Sequence, residues 1–86
     1  MYVVTFNADV VGSWSSFTLA IVESEGTIVW SEKSGSADLL SVTIRLALDE
    51  ESVRLLLRRH LGARAYFTIA PPTHELLVYL SSRGLV

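Results

Sequence analysis

The first ten residues alternate between apolar and polar side chains, and this alternation constrains the fold more than any other feature. One face of the extended segment carries the apolar residues Tyr2, Val4, Phe6, Ala8 and Val10. The other face carries Val3, Thr5, Asn7 and Asp9. Successive side chains of a strand point to opposite faces, so the pattern predicts a half-buried strand with a largely polar second face.

Two more strands are predicted before the middle of the chain. Residues 12–13 interrupt the first alternation, and residues 16–23 resume it with an apolar face. Residues 23–26 read Glu-Ser-Glu-Gly, which predicts a hairpin turn in which Gly26 takes a positive φ. Residues 27–32 then predict the returning strand.

Residues 37–48 fit two interpretations. Alternation over 40–48 and the β-branched run at 42–44 favour a strand. In the alternative, Ser36 caps a helix whose buried face carries Leu39, Val42 and Leu46. We favour the strand, and the helix stays open at this point.

Residues 50–61 have the apolar spacing of an amphipathic helix. Asp49 is the expected N-cap, and Gly62 is the expected stop. The predicted buried stripe consists of Val53, Leu56, Leu57 and Leu61.

The last quarter of the chain predicts a strand over 64–70, which Pro71 ends. Residues 73–83 then predict a short helix, with Gly84 in a left-handed C-terminal cap. In a second interpretation, 75–81 is the return strand of a hairpin.

This order of elements predicts one domain, residues 1–86, of the α+β class with a mixed sheet. Three or four antiparallel strands come first, followed by a helix, a strand and a short C-terminal helix. The strand that follows the helix is expected to make at least one parallel pairing.

The composition favours association with other protein chains. Half of the 86 residues are apolar, only 19% are charged, and the mean hydropathy is +0.42. That much apolar surface on a small domain predicts burial between subunits, so a homodimer or another protein partner is expected. The net charge of −2 argues against a general nucleic-acid binder, which needs a basic excess. Nucleic acid is therefore a partner we do not favour.

Other features of the composition concern disulfides, cellular location and the source of the protein. With no cysteine, the chain has no disulfide and no thiolate metal ligand. No apolar run is long enough to cross a membrane, and the N-terminus lacks the charged start of a signal peptide, so a cytoplasmic protein is expected. Lys33 is the only lysine beside six arginines, which we interpret as codon bias or a thermophilic source.

Common catalytic signatures are missing from the sequence. It contains no Gly-x-Gly-x-x-Gly loop and no Gly-x-Ser-x-Gly elbow, and His60 and His74 do not have the spacing of zinc ligands. We therefore expect no enzyme activity, no catalytic residue and no cofactor. The weak candidates for a metal site are Asp9 and Asp38, beside Asn7, because carboxylates on neighbouring elements hold Mg²⁺. The plainer interpretation is that Asp9 ends a strand and Asp38 caps a segment.

A group of arginines is the candidate nucleic-acid or anion surface. It comprises Arg54, Arg58, Arg59 and Arg64, at and beyond the predicted helix. The alternative is a solvated helix face, in which Glu50 pairs with Arg54 four residues later.

Trp14 is the candidate interface residue. It lies in the first predicted turn, where an aromatic ring would anchor a partner or stack on a ligand. The alternative is that the ring folds over the open end of the sheet.

The element order and two segments resemble the core of the ribonuclease H-like superfamily. Residues 4–9, Val-Thr-Phe-Asn-Ala-Asp, look like the opening strand of that family, which ends in an Asp-Gly-Ser motif. Strand 64–70 followed by residues 72–77, Pro-Thr-His-Glu-Leu-Leu, looks like the family's strand, Asp-Ser turn and apolar helix.

The resemblance has consequences for activity. It places Asn7 and Pro72 where the family has catalytic aspartates, and Asp38 stands for the family's glutamate only if 38–48 is helical. The resemblance therefore implies a degenerate, non-catalytic relative. We expect a non-enzymatic scaffold that works by protein association, as a homodimer. The alternatives are a nucleic-acid-binding module that uses the arginines and a metal-dependent nuclease of ribonuclease H-like type.

Overall fold

The computed structural model describes residues 1–7, 10, 12–33 and 39–86. Its elements, in chain order, are β1 (Tyr2–Asn7), α1 (Ser13–Glu23), β2 (Thr27–Lys33), β3 (Leu39–Arg45), α2 (Glu50–Leu61), β4 (Phe67–Ala70) and α3 (His74–Ser82). The predicted α+β class is confirmed.

The four strands form one sheet in the order β2-β3-β1-β4, and every pairing among the described strands is antiparallel. The predicted parallel pairing is therefore wrong. The two strands that each helix joins do run in the same direction, but another strand lies between them. β3 separates β1 from β2, and β1 separates β3 from β4. This doubly split β-α-β arrangement is the ferredoxin-like topology, extended here by α3.

The largest error of the sequence interpretation concerns residues 16–23, which were predicted as a strand and lie in helix α1. The apolar residues of this segment fit both periods. Phe17 and Ile21 alternate as a strand requires, but Phe17, Ala20 and Ile21 also have helical i, i+3, i+4 spacing. These three residues are buried in the structure, so tertiary packing selects the helical period.

The turn after α1 also differs from the prediction. The residue with positive φ is Glu25, at 60°, and not Gly26. Gly26 is needed for a different reason. A Cβ atom at this position would lie 3.1 Å from the backbone oxygen of Arg45 and equally close to the side chains of Ile21 and Leu46. The glycine therefore permits a close approach between the turn and the end of β3.

These roles predict opposite effects for two substitutions. Glu25→Gly should stabilise the fold by a few tenths to about 1 kcal/mol, because glycine adopts a left-handed conformation without the cost a side chain incurs. Gly26→Ala should destabilise it, because the added methyl meets backbone. Urea denaturation of the two variants beside the wild type measures both shifts. A stabilising Gly26→Ala would show that this approach is not tight.

The strand interpretation of 37–48 is confirmed for 39–45, which form β3, and the helical alternative is wrong for those residues. Helix α2 is confirmed at its predicted bounds, with Asp49 as its N-cap. The Asp49 carboxylate accepts a hydrogen bond from the Ser52 backbone N–H at 3.0 Å. Gly62, with φ of 104°, ends this helix.

The Asp49 cap makes stability depend on pH. Hydrogen bonds from the Ser52 side chain and backbone lower the pKa of Asp49 below its ordinary value. Its contribution is therefore present above the unfolded-state pKa of about 4 and is lost as the pH falls through the lower folded-state value. Asp49→Asn keeps a good cap at every pH. Denaturation curves from pH 7 to pH 2 should show the wild type losing stability more steeply than the variant at the acid end. Parallel losses would contradict this role.

Strand β4 is shorter than the predicted 64–70. The C-terminal helix is confirmed as α3, so the hairpin interpretation of 75–81 is wrong. Gly84 has φ of 72°, and its N–H donates to the Ser81 carbonyl while the Leu85 N–H donates to Leu80. These two bonds form the predicted Schellman cap.

Helices α1 and α2 cover one face of the sheet. The core between them contains Val4 and Phe6 of β1, Phe17, Ala20 and Ile21 of α1, Val42 and Ile44 of β3, Val53 and Leu57 of α2, and Phe67 of β4. Helix α3 contacts the opposite face, since the Tyr79 ring packs edge-on against Trp30 at 5.3 Å between centroids. Trp30 pairs across the sheet with Thr43, which is buried on that face.

Candidate functional site

The outward face of α1 is the first candidate site. Trp14, Leu19 and Val22 are 41%, 52% and 70% exposed, although all three are large apolar residues. Residues 13–22 contain no charged side chain, and Glu23 is the only charge in the helix. A surface helix of a globular protein normally carries charged residues on its outer face. We call Trp14, Leu19 and Val22 the α1 outer face.

Helix α2 shows the ordinary pattern. Its outward side carries Glu50, Glu51 and Arg59, with Leu55 as an exposed apolar residue. Arg54 pairs with Glu50 at 3.5 Å and with Glu51 at 3.9 Å. The two neighbouring helices therefore differ in their outer surfaces, since α1 exposes three large apolar residues and α2 exposes one.

Trp14 stacks on aromatic residues of the core and is partly exposed. Its ring stacks on Phe17 at 6.0 Å and on Phe6 at 6.5 Å between centroids. The ring therefore covers the aromatic end of the core, as the alternative interpretation expected. The ring is still 41% exposed, at the N-terminal end of α1.

Two of the four candidate arginines contact groups within the protein. Arg54 pairs with the two glutamates of its own helix. Arg58 donates to the Ala63 carbonyl at 3.3 Å and to the Ala65 carbonyl, and its guanidinium lies 4.5 Å from the centre of the Phe67 ring. Arg58 therefore fastens the loop after α2 to the helix. Arg59 and Arg64 are the two exposed members without such contacts among the described residues.

The sheet face opposite α1 and α2 offers little for stacking bases. By the strand register, β1 and β3 place Val3, Thr5, Ser41 and Thr43 on this face. The Thr5 and Ser41 hydroxyls lie 3.0 Å apart and share a hydrogen bond. Four-stranded sheets that bind RNA stack bases on aromatic residues of their strands. The described residues of β1 and β3 place no aromatic ring there. Trp30 of β2 does lie on this face, and its ring packs against α3. The described strands therefore offer a single ring for stacking, and α3 already contacts it.

The weak metal candidates, Asp9 and Asp38, lie outside the described residues. Among the residues that are described, no three histidine, cysteine or acidic side chains are grouped as a metal would require. The nuclease hypothesis therefore stays a prediction. His60 lies with its Nε2 atom 2.9 Å from a carboxylate oxygen of Glu23, which ties the ends of α1 and α2 together when the imidazole is protonated. His74 is exposed at the start of α3.

A cleft of about 400 Å³ lies beside the N-terminal end of α1. Its walls come from the end of β1, the start of α1 and the segment between α2 and β4. The lining residues are Phe6, Asn7, Val10, Gly12, Ser13, Ser16, Leu61, Arg64, Ala65 and Tyr66. The Ser13 hydroxyl at this end of α1 is buried without a hydrogen-bond partner among the described residues.

Sequence reasoning missed both the α1 outer face and the cleft. The sequence does show a run without charge over 13–22, but this run indicates an unusual surface only if the segment is a helix. The cleft had no signal in the sequence, because its walls come from parts of the chain that only the fold brings together.

Comparison of the chain with protein-family models, with curated proteins and with solved structures finds no match. The resemblance to the ribonuclease H-like superfamily is not tested by these comparisons and stays a prediction. Within the described part of the chain, no helix has both the length and the apolar character that crossing a membrane requires.

Proposed function

We propose that the protein is a non-enzymatic α/β scaffold that works by protein association, and that the α1 outer face pairs with the same face of a second copy. The observation that supports this most directly is the large apolar surface on a helix with no charge between residues 13 and 22. Exposed apolar patches of this kind mark contact surfaces.

A second copy suits this face because of its symmetry and its lack of charge. In a two-fold dimer the same patch meets itself, so a charge close to the two-fold axis would face a like charge. An uncharged helix face avoids that repulsion. A partner with a strongly charged surface would find no opposite charge on the α1 outer face to pair with.

The size of the face sets the expected affinity. An 11-residue helix is about 16 Å long, which is short for the roughly 800 Å² that each partner buries in a standard interface. We therefore expect a dissociation constant in the micromolar range, about 1–100 μM. Such a dimer exchanges with monomer at ordinary concentrations.

Sedimentation velocity over a concentration series tests the proposal. The average mass should rise from the 9.5 kDa of one chain towards twice that value as the concentration passes through the micromolar range. A mass that stays at one chain up to millimolar concentration would remove the dimer.

A further inference from the structure

The cleft beside the start of α1 has the size and lining of a small-molecule site. Its volume of about 400 Å³ lies within the range of roughly 300–1,000 Å³ that ligand pockets occupy. Phe6, Leu61, Ala65 and Tyr66 give it apolar walls. Ligand sites are typically apolar with a few polar groups that fix orientation.

The polar groups at the cleft favour a negative ligand. Arg64 lines it and is exposed. This arginine differs from Arg54 and Arg58, whose guanidinium groups are already engaged. The N-terminal end of α1 also opens here, at Gly12, which has no side chain to cap it. Both the guanidinium and a helix N-terminus attract anions.

We propose that this cleft binds a small organic carboxylate with an apolar body, its carboxylate at Arg64 and its body against Phe6, Leu61 and Tyr66. The Arg64 guanidinium favours a carboxylate, and the apolar walls favour an apolar group attached to it. A ligand that has only the carboxylate, or only the apolar part, makes only half of these contacts. This activity is separate from self-association, since Leu19 and Val22 do not line the cleft.

Three probes separate these requirements. They are 4-phenylbutyrate, which has both parts, 4-phenylbutan-1-ol, which lacks the charge, and acetate, which lacks the body. Amide shifts are followed by NMR at Ser16, Ala65 and Tyr66. We expect saturable shifts with 4-phenylbutyrate at a dissociation constant of about 1 mM or below, and at least fivefold weaker binding of the other two. No saturable shift at these residues, or equal binding of the alcohol, would overturn the proposal.

Two variants and one control locate the site. Arg64→Gln should weaken 4-phenylbutyrate at least fivefold and leave the alcohol unchanged, and Ser16→Phe should abolish binding by filling the cleft. Arg59→Gln is the matched control, since Arg59 is exposed and lines a second apolar depression beside Leu55 and Leu56. It should leave binding unchanged. Equal losses in the two arginine variants would mean a general attraction of anions and would overturn the assignment. An unchanged HSQC fingerprint in each ligand-free variant shows that it is folded.

Discussion

Replacing Leu19 by glutamate is expected to keep the protein monomeric at concentrations at which the proposed wild-type dimer forms. Leu19 is half exposed in the single chain, so its side chain contributes little to the stability of the monomer. It lies near the middle of α1, between Trp14 and Val22. A change here therefore acts on the association surface and leaves the core intact.

The expected effect is large because symmetry doubles it. Each copy would bring one carboxylate to the proposed interface, so two charges would be removed from water without a partner of opposite sign on the α1 outer face. The apolar contact of both leucines is lost as well. We expect the dissociation constant to rise at least 100-fold, which is about 2.8 kcal/mol at 1.4 kcal/mol per factor of ten. In sedimentation velocity, the concentration at which the average mass rises above that of one chain should then be at least 100-fold higher than for the wild type.

Two matched controls show whether the effect belongs to α1. Leu55→Glu changes a residue that is 63% exposed on α2, and Val78→Glu changes one that is 55% exposed on α3. Both introduce the same charge at similar exposure, and both should leave the dimer intact. If Val78→Glu dissociated the dimer and Leu19→Glu did not, the interface would lie on α3 and the α1 outer face would not be the contact.

The sequence interpretation was correct for segments whose structure depends on interactions between residues close together in the chain. Helix α2 was predicted at its bounds because its signals are local: Asp49 and Ser52 form the cap, and Gly62 supplies the stop. The C-terminal cap at Gly84 is equally local. In such segments the stabilising interactions join residues a few positions apart, so they can be recognised in the sequence.

Helix α1 lacks these local signals. Its N-cap is Gly12, without a capping side chain, and its first turn has no acidic residue. Its apolar positions fit both a strand and a helix, so the packing of Phe17 and Ile21 against the sheet decides between them. The antiparallel position of β4 beside β1 is likewise a long-range outcome. The α1 outer face was not among the predicted sites for the same reason, because this face exists only if the segment is helical.

The second large effect is expected from Phe17→Ala, which should strongly destabilise the fold. Phe17 is fully buried, and its ring lies 4.8 Å from Phe6 and 6.0 Å from Trp14 between centroids. Truncating a buried phenylalanine costs about 3–5 kcal/mol, from lost burial and from the cavity left behind. A chain of 86 residues has a total stability of about 4–13 kcal/mol. The variant should therefore melt on the order of 20 °C lower, at about 4–8 °C per kcal/mol, and part of the population should be unfolded at 37 °C.

Leu19→Ala supplies the comparison that makes Phe17→Ala informative about the fold. In a strand over 16–23, Phe17 and Leu19 would share the buried face, and truncating either would be costly. In helix α1, Phe17 is buried while Leu19 points outward, so Leu19→Ala should change the stability of the monomer by no more than about 0.5 kcal/mol. Both variants are measured by thermal unfolding at low micromolar concentration, where association adds little. Equal losses from the two substitutions would argue for the strand and against the helical face on which the proposed function depends.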